Sequence, residues 1–230
     1  MTLLISSIAP ALIILYLIYR HDVDREPRKL LLKCFFGGIL SILMTLILVL
    51  PFNGISMPTG FAKSFYDAFV TAGIPEELSK WLILYWLVRK APAFDQYYDG
   101  IIYAVFVSMG FALVENIMYV MNGDMGTVIS RAIMAVPGHM LFAVAMGYYF
   151  SMAKFDTPQK AKVHMAMSLI IPIALHGTYD FLLMYTSSKA DHSPLLAVGI
   201  IIVFVLFDIY LWRLGLKRIK AHKSKDLGMS

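Results

Sequence analysis

An all-α, multi-pass membrane bundle is the expectation for this chain, and three observations carry it. Hydrophobic residues make up 59% of the 230, above the roughly half found in soluble domains. They come in blocks such as "ALIILYLIY" and "LAVGIIIVFVLFDIYLW", which are almost free of polar residues. About 20 such residues cover the roughly 30 Å of membrane hydrocarbon. The basic residues collect in short segments between blocks, as orientation signals do. A soluble two-layer domain would instead spread its apolar residues at period 2 or 3.6 and keep polar faces.

Seven spans follow, at about 2–19, 34–53, 65–88, 99–121, 129–151, 163–186 and 194–214. The first lacks a basic leading region and a small-residue cleavage site, so it reads as a retained anchor. The polar stretch "SSKADHSP" separates the last two. With no internal repeat, low-complexity tract or long linker, residues 1–230 read as a single integral-membrane domain.

Sixteen of the 20 Lys and Arg residues fall on one side: in the segment 20–33, at Arg89 and Lys90, in 154–162, and in the tail from Arg213. Lys63 and Lys189 lie on the other. The positive-inside rule then sets the N-terminus outside and the C-terminus in the cytoplasm. The net charge of +5 is accounted for by these loops, and nucleic acid is excluded as a partner. The single Cys34 excludes an internal disulfide and a thiolate metal site, and reads as a packing residue.

Ionisable side chains at membrane depth cost roughly 2.5–3.5 kcal/mol each on insertion scales. The third span nevertheless carries Glu76, Glu77 and Lys80 in "GIPEELSKW". The fourth carries Glu115 and Asn116, the fifth Arg131 and His139, and the sixth His176 and Asp180. Counted from the outer ends of the spans, Glu76, His139 and His176 lie about 15 Å down, and Glu115 and Asp180 about 9 Å. Four helices thus put polar groups at similar depth, which predicts one hydrated cavity open to the outside.

Helical spacing adds detail. Glu76 and Lys80 share a face, as do His176 and Asp180, and Glu115 and Tyr119. Glu77 points about 100° away from Glu76, toward a different partner. Lys80 is placed to offset either carboxylate, and Asp180 to orient the His176 ring. Pro75, Pro137 and Pro172 each remove a backbone donor, so helix breaks are expected there. Asn116 reads equally as an interhelical hydrogen-bonding residue, Arg131 as a snorkelling residue, and Asp208 as a boundary residue.

Carboxylate with imidazole activates water for hydrolysis by general acid–base catalysis. No G-x-S-x-G elbow is present, and Cys34 is distant in sequence. Two His and a Glu also make a zinc ligand set, here Glu115, His139 and His176, with a second Glu as base. Metal-free and zinc chemistry both stay open at this point.

Four segments resemble the motifs of the CAAX protease and bacteriocin-processing superfamily: "PEELSKW", with its E-E-x-x-K pattern, "GFALVENIMY", "PGHMLFAVAMGYY" and "ALHGTYDF". Their order, together with "VDREP" and "FDQYYDGIIYA", resembles the PrsW branch over nearly the whole chain. The resemblance implies an intramembrane protease of the bacterial plasma membrane that makes the first, extracytoplasmic cut in a single-span anti-sigma factor. That cut leads to release of an extracytoplasmic-function sigma factor. It also implies roles: Glu76 and Glu77 as the catalytic pair, Glu115 and His139 completing the water site, and His176 assisting. Lys80, Asn116 and Asp180 are supporting residues. Two other functions fit the same residues: a non-catalytic scaffold or ion or proton pathway, and processing of prenylated or bacteriocin-type peptides.

Overall fold

In the computed structural model, residues 2–22, 24–121 and 124–228 are described, with side chains from Ser7 onward. Among them the chain forms seven helical rods and no strand. They are α1 (Thr2–Arg20), α2 (Arg28–Phe52), α3 (61–88), α4 (Tyr97–Met121), α5 (Met125–Phe155), α6 (Pro158–Lys189) and α7 (Pro194–Leu227). Five are long and apolar enough to cross a membrane; α1 and α3 are not among those five. The chain is therefore a polytopic helical bundle with the expected number of rods.

The rods run past the expected spans. α2 starts at Arg28 rather than at 34, and α7 continues to Leu227 rather than stopping near 214. Hydropathy marks where hydrocarbon ends, whereas a helix ends where its backbone bonding ends. The added turns carry Arg28, Lys29, Lys217 and Lys220, which suit water and headgroups.

α4 is the most enclosed rod. Ile101, Ile102, Val105, Val107 and Met109 along it are fully buried. Its neighbours come close because glycines face them. A Cβ on Gly38 would collide with the Val107 carbonyl, and one on Gly110 with the Phe35 carbonyl, so α2 and α4 touch backbone to backbone. Gly147 of α5 meets Gly100 of α4 in the same way. Small residues at such crossings are how membrane helices gain packing without a hydrophobic driving force. Cys34 is buried in the same core, in keeping with a packing role.

The ends of the rods on the basic side are tied together by polar contacts. The Asp226 carboxylate of α7 accepts hydrogen bonds from the Tyr97 and Tyr98 amides at 2.7 and 2.9 Å, capping the start of α4. Lys223 Nζ donates to the His21 carbonyl at 2.6 Å. The motifs "VDREP" and "FDQYYDGIIYA" meet here. Tyr103 donates its hydroxyl proton to Glu26, and Asp99 Oδ2 accepts from the Gln96 amide at 2.7 Å.

Burial first, and then the nearby Asp99 charge, push the Glu26 carboxyl up to about 9. Because the folded value lies above the unfolded one, this group's contribution is fully present below the ordinary carboxyl range and is lost as pH rises toward 9. Thermal unfolding in detergent between pH 5 and 9 should therefore show a falling Tm. Glu26→Gln, which stays neutral, should flatten that slope.

Candidate active site

Two wide helical turns position the site. A π-helical segment, Tyr66–Gly73, immediately precedes Ile74–Val88, and a second, Arg131–Ala135, precedes Val136–Phe155. Each lies just ahead of a proline, Pro75 or Pro137, whose missing N–H leaves a carbonyl that an ordinary α turn would have bonded. The wider turn absorbs the mismatch, and such turns gather at functional sites. Glu76 and Glu77, and His139, therefore fall in the first turn of a fresh α segment. The third expected break is absent: α6 runs unbroken through Pro172, which packs buried within the bundle. Gly177 sits against Phe69 so closely that a Cβ would clash, and this contact draws α6 onto α3 beside His176.

The side chains then converge. Lys80 Nζ donates to Glu77 Oε1 at 2.8 Å and to Glu76 Oε2 at 3.3 Å, and lies 3.3 Å from His139 Nδ1. It also sits 4.0 Å from the centroid of the Phe111 ring. An ammonium only donates, so His139 Nδ1 accepts. The ring proton is then on Nε2, which donates to Glu115 Oε2 at 2.8 Å. His176 Nδ1 contacts Glu77 Oε1 at 3.0 Å. Its Nε2 lies 3.3 Å from Asp180 Oδ2 and 3.9 Å from Glu76 Oε2. The Phe142 ring stacks on His176 at 4.8 Å.

These groups form two layers. Glu76, Glu115, His139, His176 and Asp180 line a cavity of about 160 Å³. Glu77 and Lys80, each only 1% exposed, lie behind it. The adjacent glutamates thus separate: Glu76 faces the cavity, and Glu77 holds His176 and Lys80 from the rear.

Two expectations need correction. Arg131 does not snorkel. Its guanidinium pairs with Glu115 at 2.8 Å, donates from Nε to Asn116 Oδ1 at 2.7 Å, and stacks 4.0 Å over the Tyr119 ring. Three acceptor surfaces inside the bundle outcompete the headgroup region. Asn116 in turn donates to the Ser7 carbonyl at 2.6 Å, so it bridges α1, α4 and α5. The metal-type ligand set also differs from Glu115, His139 and His176. The donor atoms that lie within 4.8 Å of one another belong to Glu76, Glu77, His139 and His176. Glu115 is not in this group; its Oε2 instead holds His139 Nε2 and Arg131.

Tyr179, which nothing in the sequence singles out beyond its place next to Asp180, lines the same cavity, and its buried hydroxyl has no hydrogen-bond partner among the described residues. Asp208 stays outside the cluster.

The sequence profile of the PrsW family intramembrane metalloproteases matches residues 26–209. The chain belongs to the PrsW family. Proteins named Protease PrsW are similar to it over nearly their full lengths. That of Clostridioides difficile is 35% identical over 229 residues, covering 96% of this chain and 91% of the relative. That of Geobacillus kaustophilus is 33% identical over 225 residues, covering 96% and 92%. That of Bacillus subtilis is 32% identical over 225 residues, covering 97% and 96%. No solved structure matches the chain. PrsW membership makes this an intramembrane protease, a multi-pass protein of the cytoplasmic membrane.

The family description as metalloproteases raises the question whether these residues suit a metal. The donor set of two carboxylates and two imidazoles is right for a zinc-like divalent ion. Both rings also have a carboxylate on the opposite nitrogen, Glu115 for His139 and Asp180 for His176, the usual support for metal-binding histidines. The residues therefore fit. The Lys80 ammonium already draws on three of the four donors.

Proposed function

We propose that the chain hydrolyses a peptide bond near the outer membrane face, with water in the cavity as the attacking species. The observation that carries this reading is the cavity itself: carboxylates and imidazoles from four rods face one 160 Å³ space. Glu76 takes a proton from water as the oxygen attacks the scissile carbonyl carbon. Arg131 and His176 offer donors to the oxyanion that forms. When the C–N bond breaks, protonated Glu76 returns its proton to the leaving amine; the second water proton stays on the new carboxyl group and then passes to the amine, giving a carboxylate and an ammonium. Glu77 and Lys80 orient His176 and His139 and do not reach the cavity.

A metal-dependent variant is favoured by the donor set of Glu76, Glu77, His139 and His176. When bound, a divalent ion would acidify water and polarise the carbonyl. Metal analysis of protein purified without a His tag, with chelator sensitivity of cleavage, decides between the two. Full activity in metal-free protein excludes the metal variant.

For substrate we propose a single-span anti-sigma factor cut first on its extracytoplasmic side. The support is the likeness to the PrsW branch and the expected opening of the cavity toward the outside. Purified protein in liposomes should cleave a single-span substrate while passing no ions or protons. Flux without cleavage would favour a transport role instead.

Arg131→Gln should lower cleavage about 10²–10³-fold, the usual cost of losing one oxyanion donor. It should do so with little change in Tm, since Arg131 is partly exposed and Asn116 keeps its bond to α1. Kinetics and thermal unfolding on the same preparation check this.

A further inference from the structure

A second cavity, separate from that of the proposed reaction, lies among the rod ends on the basic side. It has a volume of about 590 Å³ and runs between α3, α5 and α6. Its inner wall is apolar and aromatic, formed by Trp81, Phe94 and Leu169 among others. Its rim carries Arg89, just past the end of α3, Lys154 of α5 and Lys162 of α6. All three cationic residues are exposed, and none forms an ion pair with a carboxylate among the described residues. Arg89 rests on the Tyr85 ring at 4.9 Å, and Lys154 on the Phe94 ring at 4.2 Å.

We propose that this cleft binds an anionic phospholipid of the inner leaflet, with the phosphate at the three cations and an acyl chain along the apolar wall. The composition selects this occupant. A soluble anion would gain nothing from the apolar wall, and a neutral lipid nothing from the rim. The inner flank of a single-span substrate is rich in Lys and Arg by the same rule that orients this chain, so the rim would repel it. Basic pockets between membrane helices on the cytoplasmic side suit anionic headgroups. The bound lipid would press on Trp81, whose indole donates to Ser168 Oγ at 2.7 Å. Trp81 follows Lys80 directly, so lipid occupancy would brace the helix that carries Glu76 and Glu77.

Native mass spectrometry of the full chain tests this without reference to cleavage. Phosphatidylglycerol and phosphatidylcholine with identical acyl chains are titrated separately. The wild type should retain phosphatidylglycerol at least tenfold more tightly. The variant R89Q/K154Q/K162Q should lose that preference, and Ala166→Trp, which fills the cleft without changing charge, should lose it as well. A control, K217Q/K220Q, removes two basic-side charges outside the cleft and should keep it. Equal retention of the two lipids by the wild type, or an unchanged preference in both cleft variants, would overturn the proposal. So would loss of the preference in the control.

Discussion

Glu76→Gln should reduce peptide cleavage by about 10²–10⁴-fold, the usual contribution of a positioned general base, with the protein still folded. Glutamine keeps the shape and the capacity to accept from Lys80, but it is far too weak a base to take a proton from water. Glu76 is 12% exposed at the cavity whereas Glu77 is sealed behind it, so the charge removed is the one water reaches. The change also leaves Lys80 paired with Glu77 at 2.8 Å, so no buried ammonium is stranded. Initial rates on a reconstituted single-span substrate, with thermal unfolding of the same sample, separate loss of chemistry from loss of fold. A folded variant that cleaves at the wild-type rate would remove Glu76 from the mechanism.

Lys80→Met should be the most destabilising single change in the site. Lys80 holds Glu77, Glu76 and His139 together from a fully enclosed position. Removing it leaves Glu77 a buried charge with only the His176 ring beside it, and breaking such a buried pair costs about 3–5 kcal/mol. For a chain of this size that corresponds to a Tm drop on the order of 10 °C. Adding Glu77→Gln removes the stranded charge, and the double variant should regain most of the lost stability. Cleavage should stay low in both, because His139 and Glu76 lose their common donor. Recovery of activity together with stability would mean that Lys80 matters only to the fold.

The rods were legible in the sequence because their apolar blocks have membrane length, and no soluble fold needs such blocks. Their ends were not, since helices such as α2 and α7 continue into water with charged turns that hydropathy excludes. The site was legible through cost: Glu76, Glu77, Lys80, Glu115, His139 and His176 stand out because hydrocarbon penalises each of them. Which glutamate meets water was not legible, since the two are adjacent and only the packing of α5 and α6 separates their surroundings. Arg131 was misread because its partners Glu115 and Asn116 sit on another rod, across a loop that spacing rules do not bridge. The prolines at 75 and 137 announced a break but not its form, and the one at 172 showed that a proline can pass without one. Tyr179 was hidden because an aromatic ring in a span reads as packing, and the structure does pack it against Phe142 and Phe204 at the cavity wall.

The central claim is that hydrolysis takes place in this cavity, in the outer half of the bilayer. Mapping the scissile bond measures it most directly: a single-span substrate is cleaved by the reconstituted protein, and both new ends are identified by mass spectrometry. The account predicts a cut in the outer half of the substrate's span, within about 15 Å of its outer boundary, the depth counted for Glu76 at 1.5 Å per residue. A cut in the cytoplasmic half would contradict it.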